Sequence, residues 1–171
     1  MEAALEQACL ALASGEVPIG AVLVIDGQIV ARGFNQPITS CDPTAHAEML
    51  VLREAARLVG NYRLTNADVY VTLEPCLMCV GALVHARVKE VIYGAAEPKT
   101  GALVSTMRGL ETPGLNHRFT VTSGVLDGPC LEIVQQFFRD KRRRARDASP
   151  ADSPNTSEGP LLDIAFRRAD E

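Results

Sequence analysis

Residues 68–79 read DVYVTLEPCLMC, and the fold turns on where this stretch changes from strand to helix. Val69, Tyr70, Val71 and Thr72 have strong β propensity, so Asp68 to Glu74 is expected as a strand. Pro75 suits the first turn of a helix, which should run to about Ala86. Cys76 and Cys79 are three apart and share one face of that turn. A helix N-terminus is electropositive, which lowers a thiol pKa and favours the thiolate that binds metal. Taken alone, Pro-Cys-x-x-Cys fits either a zinc site or a redox pair.

About thirty residues upstream stands a second short stretch, His46-Ala47-Glu48. Asp42-Pro43 resembles an N-cap followed by Pro at the first helical position, so a helix is expected from about Pro43 to Val59. It would carry Ala45, Met49, Leu52 and Ala56 on one side and close at Gly60-Asn61. His46 and Glu48 then fall in its first turn. In mid-helix such a pair points roughly 200° apart, but at the first turn both reach a site off the helix end. A lone His-x-Glu is ordinary in a helix. Both stretches, in this order and each at a helix start, point to a catalytic metal site. His46, Cys76 and Cys79 would hold Zn²⁺ and leave a fourth position open for water, as catalytic zinc sites do. Glu48 remains as a carboxylate beside the metal, free to move protons.

The flanking sequence supplies the remaining layers. Residues 2–14 place Leu5, Ala8, Cys9 and Leu12 on one face of a helix that Gly15 stops. Glu16 to Pro18 is expected as a loop. Ile19 to Ile25 is a continuous apolar run that suits a strand buried on both faces. Asp26-Gly27 is a strong hairpin turn, and Gln28 to Phe34 returns as the second strand before Asn35-Gln36-Pro37 breaks it. Val88 to Tyr93 reads as a fourth strand ended by Gly94, with a short helix near 101–108 and a fifth strand at 119–122. A last helix spans 127–144, with Leu131, Val134, Phe137 and Phe138 apolar. The order predicts an α/β fold, a three-layer α/β/α sandwich around a mixed five-stranded sheet, with the site at two helix N-termini. His85, late in a helix, and His117, in a loop, are read as structural.

Length and charge agree with one domain, residues 1–146, followed by a tail at 147–171. The tail is rich in Ser, Pro, Asp, Asn and Gly and is expected to be disordered. It holds six acids and two bases, which accounts for the whole net charge of −4, while residues 1–146 carry fifteen of each sign. Within that neutral body, six bases and one acid are concentrated in Arg139 to Arg146, the footprint of an anionic partner. No apolar run approaches the ~18 residues of a membrane span. The Ala- and Leu-rich start carries Glu2 and Glu6 and no early base, so it reads as a helix of the domain rather than a signal peptide, and a cytoplasmic location is expected. Five cysteines, two of them in C-x-x-C, suit metal chemistry in a reducing compartment better than a disulfide framework. Cys9, Cys41 and Cys130 read as ordinary thiols.

In the order H-x-E then P-C-x-x-C the chain resembles zinc-dependent nucleobase deaminases. Longer blocks narrow the resemblance: Glu16 to Ala21, Asp42 to Glu48, Asn61 to Leu64, Thr72 to Cys76, Lys99 to Ala102, Asn116 to Arg118 and Phe137 to Arg139. Over residues 1–144 the chain is similar to the bacterial tRNA-specific adenosine deaminase family, within the cytidine deaminase superfamily. The resemblance implies a cytidine deaminase-like fold, one Zn²⁺ per subunit, and hydrolytic conversion of adenosine to inosine at the wobble position of a tRNA anticodon loop. It implies Glu48 as the proton carrier and Asn35 as a hydrogen-bond partner of the base. The backbones of Ala47 and of Leu73 to Pro75 would supply further polar contacts, with Val17 as an apolar wall. Glu97 stands where bacterial members often have Asp beside the substrate ribose. Phe138, Arg142 and Arg143 lie on the helix expected to face the RNA. The family also implies a homodimer whose neighbouring subunit helps to line the RNA surface. A free nucleobase or nucleotide deaminase shares the zinc chemistry, but the Lys99 to Ala102 block and the basic helix argue against it. Glu48 argues against an inactive zinc subunit.

Overall fold

The computed structural model describes residues 1–147. Helix α1 (Glu2–Ala13) leads into strands β1 (Gly20–Ile25) and β2 (Gln28–Phe34), helix α2 (Ala47–Val59), strand β3 (Ala67–Leu73) and helix α3 (Leu77–Ala86). Strand β4 (Glu90–Ala95), a short 3₁₀ turn at Gly109–Glu111, strand β5 (Thr120–Thr122) and helix α4 (Asp127–Asp147) complete it. The strands form one sheet in the order β2-β1-β3-β4-β5. The pairs β1/β2 and β1/β3 are antiparallel, and β3/β4 and β4/β5 are parallel. This is the expected mixed five-stranded sheet. Helices α2 and α3 touch each other on one side and α1 and α4 on the other, giving the three layers.

The main core lies under α2 and α3. Alternate residues Ala21 and Leu23, Val69 and Val71, and Val91 and Tyr93 belong to one buried cluster with Val51, Leu52, Ala55 and Leu83. The period-2 alternation of a strand brings these side chains to one face. A smaller cluster on the other side joins Leu73, Ala95 and Cys130 to Met1, Leu5 and Ile19. The β1–β2 hairpin turns on Asp26 and Gly27 with φ of 51° and 76°. Positive φ at both central residues is what a two-residue primed turn requires.

Four sequence expectations need correction. Helix α1 buries Ala4, Ala8 and Ala11, whereas Cys9 and Leu12 face outward. Small side chains are selected there because α1 packs on the backbone of β1: a Cβ on Gly20 would collide with Ala4 O and Ala8 N. Gly94 lies inside β4 instead of ending it. The reason is again close approach, since a Cβ at Gly94 would overlap Cys130 on α4. Residues 101–108 form turns and no α-helix, with the 3₁₀ turn following at 109. Asp147, placed in the tail by composition, is the last residue of α4. The rest of the expected tail, 148–171, lies outside the described residues.

Candidate active site

Both metal-binding stretches sit at the start of a helix, as expected, but the helices begin later in the chain than the sequence suggests. Helix α2 begins at Ala47 instead of Pro43, and α3 at Leu77 instead of Pro75. His46 and Cys76 are therefore the N-cap residues, in extended conformation with φ and ψ of −75° and 152° and of −75° and 171°. An N-cap residue keeps non-helical backbone, so its side chain can project across the helix end. Asp42 instead closes a turn of its own, its Oδ1 accepting from Thr44 N at 2.8 Å and Thr44 Oγ1 at 2.7 Å.

The result is a triangle of donor atoms. Cys76 Sγ lies 3.7 Å from Cys79 Sγ, and each sulfur lies 3.7 Å from His46 Nδ1. Zn–S bonds of ~2.3 Å and a Zn–N bond of ~2.0 Å at tetrahedral angles give triangle edges of about 3.5–3.8 Å. The residues therefore fit zinc through three ligands, and this His/Cys/Cys group is the only one of its kind among the described residues. Its charge state agrees. The hydrogen bond with Cys79 pulls the Cys76 thiol down to about 4, burial opposes this, and the His46 contact adds to the fall. The same bond, with burial, pushes Cys79 far up. The contact with Cys76 raises His46, against its burial. Ionisation of one sulfur thus opposes ionisation of the other, and a divalent cation held between them would favour both thiolates.

Glu48 is the second residue of α2 and only 3% exposed. Burial pushes its carboxyl above the usual range, opposed chiefly by its own backbone N–H and by His46. A buried carboxyl whose protonated form is favoured by burial, beside a candidate metal site, is suited to accept and return a proton. Asn35, also buried, accepts the Ala47 backbone N–H on Oδ1 at 2.9 Å. Its carbonyl thereby engages the start of α2, which leaves the amide NH₂ as the donor of this side chain. Half-buried Val17 flanks this corner, its carbonyl accepting from Ile19 N.

The remaining expected residues fall into a second group. Glu97, Phe138 and Arg142 line a groove of about 720 Å³ together with Leu73, Lys99 and Arg139. Leu73 connects the two groups, because Glu74-Pro75-Cys76 follows it directly. Arg143 is not part of the groove wall and pairs with Asp140 at 3.1 Å. His117 is structural, as expected, with Nε2 at 2.8 Å from the carbonyl of Val88. His85 is exposed on the α2–α3 side.

Two buried carboxylates, Glu16 and Glu74, were not singled out from sequence. Glu16 accepts the Thr39 N–H at 2.7 Å and so anchors the loop ahead of His46. Glu74 accepts the N–H groups of Glu97, Leu103, Val104 and Ser105 and the Ser105 hydroxyl. Burial raises its pKa, but the Ser105 hydroxyl and these amides outweigh burial and hold the carboxyl below the usual range. The one sequence signal for Glu74 was a charge wedged between an apolar strand and Pro75. Glu16, in a short loop, gave none.

Fold and site define a zinc-dependent hydrolytic deaminase, and residues 1–95 match the family model of the cytidine and deoxycytidylate deaminase zinc-binding region. A tRNA-specific adenosine deaminase of Haemophilus influenzae is 46% identical over 147 residues, 85% of each chain. That of Bacillus subtilis is 47% identical over 148 residues, 86% of this chain and 92% of the relative. A solved structure from a study of A-to-I editing by tRNA:A34 deaminases superimposes with a TM-score of 0.76 at 47% identity, covering 78% of this chain and 96% of that one. The chain belongs to the tRNA-specific adenosine deaminase family of zinc-dependent deaminases. Among the described residues, no helix is long and apolar enough to cross a membrane.

Proposed function

We propose that this chain converts adenosine to inosine at the wobble position of a tRNA anticodon loop by zinc-dependent hydrolytic deamination. The observation that carries the reading is the His46/Cys76/Cys79 triangle beside buried Glu48, in a chain 46–47% identical to tRNA-specific adenosine deaminases over most of its length. When bound, zinc lowers the pKa of water toward neutrality and so supplies the nucleophile.

The chain's own residues do the rest. Glu48 takes a proton from the attacking water and passes it to N1 of the base. It then takes the second proton from the new hydroxyl on C6 and gives it to the departing amine, so that the C6–N bond breaks, ammonia leaves and the water oxygen stays on C6 as the carbonyl. With Oδ1 engaged by Ala47 N, Asn35 has its NH₂ group free to donate to an acceptor atom of the purine. Val17 bounds this side of the base. An anticodon loop offers its bases already unstacked, which lowers the cost of inserting one into such a pocket. Glu97, Phe138 and Arg142 line the groove that would take the adjoining RNA, with Arg143 and the rest of the basic end of α4 contacting phosphates outside the groove.

A homodimer belongs to the same reading. Leu58, Val59 and Tyr62 stand 49–65% exposed on the α2 side, an apolar surface that a second copy would cover. Light scattering should give twice the chain mass, and a strictly monomeric, active protein would remove this part. Residues 1–146, extended by Asp147 at the end of α4, would form the catalytic domain, and a tRNA substrate supports a cytoplasmic location.

The decisive test is Glu48→Ala. Zinc per chain should stay at one while single-turnover inosine formation on an anticodon stem-loop falls about 10²–10⁴-fold. Turnover within a few-fold of wild type, with zinc intact, would sink the assignment. Ammonia release from free nucleosides, without inosine in the stem-loop, would favour a free-nucleobase enzyme.

A further inference from the structure

Glu74 is 3% exposed and collects five donors, all from residues 97–105. Oε1 accepts Leu103 N at 3.2 Å, Val104 N at 2.8 Å and Ser105 N at 2.9 Å. Oε2 accepts Glu97 N at 3.1 Å and the Ser105 hydroxyl. One carboxylate thus fixes both ends of the segment between β4 and the 3₁₀ turn. The middle of the segment is fixed by the next two residues of the chain. Ala102 N donates to Pro75 O at 2.8 Å, and Gly101 forms a β-bridge with Cys76. Gly101 lies so close to Glu74 that an added Cβ would overlap its carboxylate and Glu97 O. Glu97 in turn closes the tip, its Oε1 accepting Lys99 N at 2.8 Å.

The arrangement joins the metal-ligand segment to the groove wall at 97–100. Glu74, Pro75 and Cys76 are consecutive, so the backbone that presents a metal ligand also carries the clamp. The clamped segment supplies Glu97, Pro98, Lys99 and Thr100 to one wall of the groove, opposite Phe138, Arg139 and Arg142. An ordinary surface loop of this length has no reason to sink five donors onto one buried charge. Such a carboxylate fixes a position to within a hydrogen-bond length, because charged hydrogen bonds are short and directional.

We propose that Glu74 is a positioning residue for the RNA: it sets the groove wall at 97–100 in register with the metal-ligand segment, so that a loop gripped by that wall delivers its base to the Glu48 pocket. The proposal rests on the tRNA reading above. The Glu74 side chain touches neither the base nor the reacting atoms in this scheme. Its loss should therefore weaken productive RNA binding and leave the chemical step intact.

The full-length chain and an anticodon stem-loop RNA with adenosine at the wobble position provide the test. Glu74→Gln keeps the size of the side chain, removes the charge that all five donors share, and puts an NH₂ donor in place of the oxygen that faces Glu97 N and the Ser105 hydroxyl. KM for the stem-loop should rise about tenfold, the effect of one lost charged hydrogen bond, while kcat stays within about twofold and zinc per chain stays at one. Lys99→Ala in the same wall should raise KM by itself but add little in the Glu74→Gln background, since both act through one wall. Hydrogen exchange gives an activity-free readout: the amides of Glu97, Leu103, Val104 and Ser105 should be protected in wild type and exchange faster in the variant, with α2 unchanged. Should Glu74→Gln fail to fold, Ser105→Ala removes the hydroxyl donor alone and should give the same pattern at smaller size.

Fully additive KM effects with Lys99→Ala, or a fall in kcat at unchanged KM, would overturn the positioning role. Unprotected wild-type amides would remove the clamp itself. A wild-type chain that shows protected amides but no inosine formation on the stem-loop would remove the tRNA reading and the positioning role with it, leaving only a structural clamp.

Discussion

Between β3 and α3 the chain uses three residues, Glu74, Pro75 and Cys76; between β2 and α2 it uses twelve, Asn35 to His46. Both corners end in an extended N-cap residue that is a metal ligand. The short corner leaves the backbone little choice. Leu73 ends a buried strand, and Pro75 fixes φ and has no N–H to satisfy. The long corner has many conformations available and is narrowed by hydrogen bonds from elsewhere. Glu16 holds Thr39, Asp42 holds Thr44, and Asn35 holds the first amide of α2. Gln36 N also donates to Ala45 O at 2.9 Å, pinching the loop at its base. The same ligand geometry is reached locally on one side and by long-range staples on the other.

The largest effect should come from the ligands themselves, and it should be alike for the two corners. Cys76→Ala and His46→Ala each remove one point of the triangle. Zinc affinity should fall more than about 100-fold in either variant, beyond the 10–100-fold usual for groups that merely support ligands. Zinc per chain after dialysis measures this. Zinc retained in only one of the two variants would show that the corners do not contribute equally, and would break the comparison at its root.

A smaller effect, confined to the long corner, should follow from Asn35→Ala. The buried Ala47 N–H loses its acceptor, and a buried donor left unpaired costs about 1–3 kcal/mol. Urea unfolding of the metal-free chain measures it without interference from zinc. Metal affinity should fall as well, because His46 adjoins the freed amide. A stability change below about 0.3 kcal/mol would mean that the long corner is held without Asn35.

The two corners also explain what could be read in the sequence. The β3–α3 boundary is legible to within one or two residues, because β-rich residues, Pro75 and the C-x-x-C spacing all act locally. The start of α2 was placed four residues early. Asp42-Pro43 has the signature of a helix start, but its carboxylate closes a turn on Thr44, and Asn35, twelve residues from Ala47, supplies the first amide's partner instead. No local pattern encodes that partnership. The α1 face was misread for a similar reason: Leu and Cys are more apolar than Ala, yet only Ala fits against the backbone at Gly20. The metal ligands and Glu48 stood out because their residue types are chemically scarce. Glu16 and Glu74 did not, because a buried carboxylate looks like any surface one until its donors arrive from distant parts of the chain.

The smallest effect tests the weakest staple of the long corner. The Thr44 hydroxyl and amide lower the pKa of Asp42 from its ordinary 3.8, with a further contribution from Arg53, 3.6 Å away. The group is partly open to solvent, so the bonds are worth little to global stability. The sign is still definite. A carboxyl whose folded pKa is depressed stabilises its turn above the unfolded value, and that contribution is lost as pH falls through the folded value. The Thr44 amide resonance should therefore shift with an apparent pKa below 3.8, while α3 amides beyond the metal cluster stay still over the same range. An Asp42→Asn variant should abolish the transition and leave zinc binding within about twofold, as expected for a surface turn that is one of several restraints. A larger loss of zinc would raise Asp42 from a minor staple to the main restraint on His46, and the long corner would then depend, like the short one, on a single local residue.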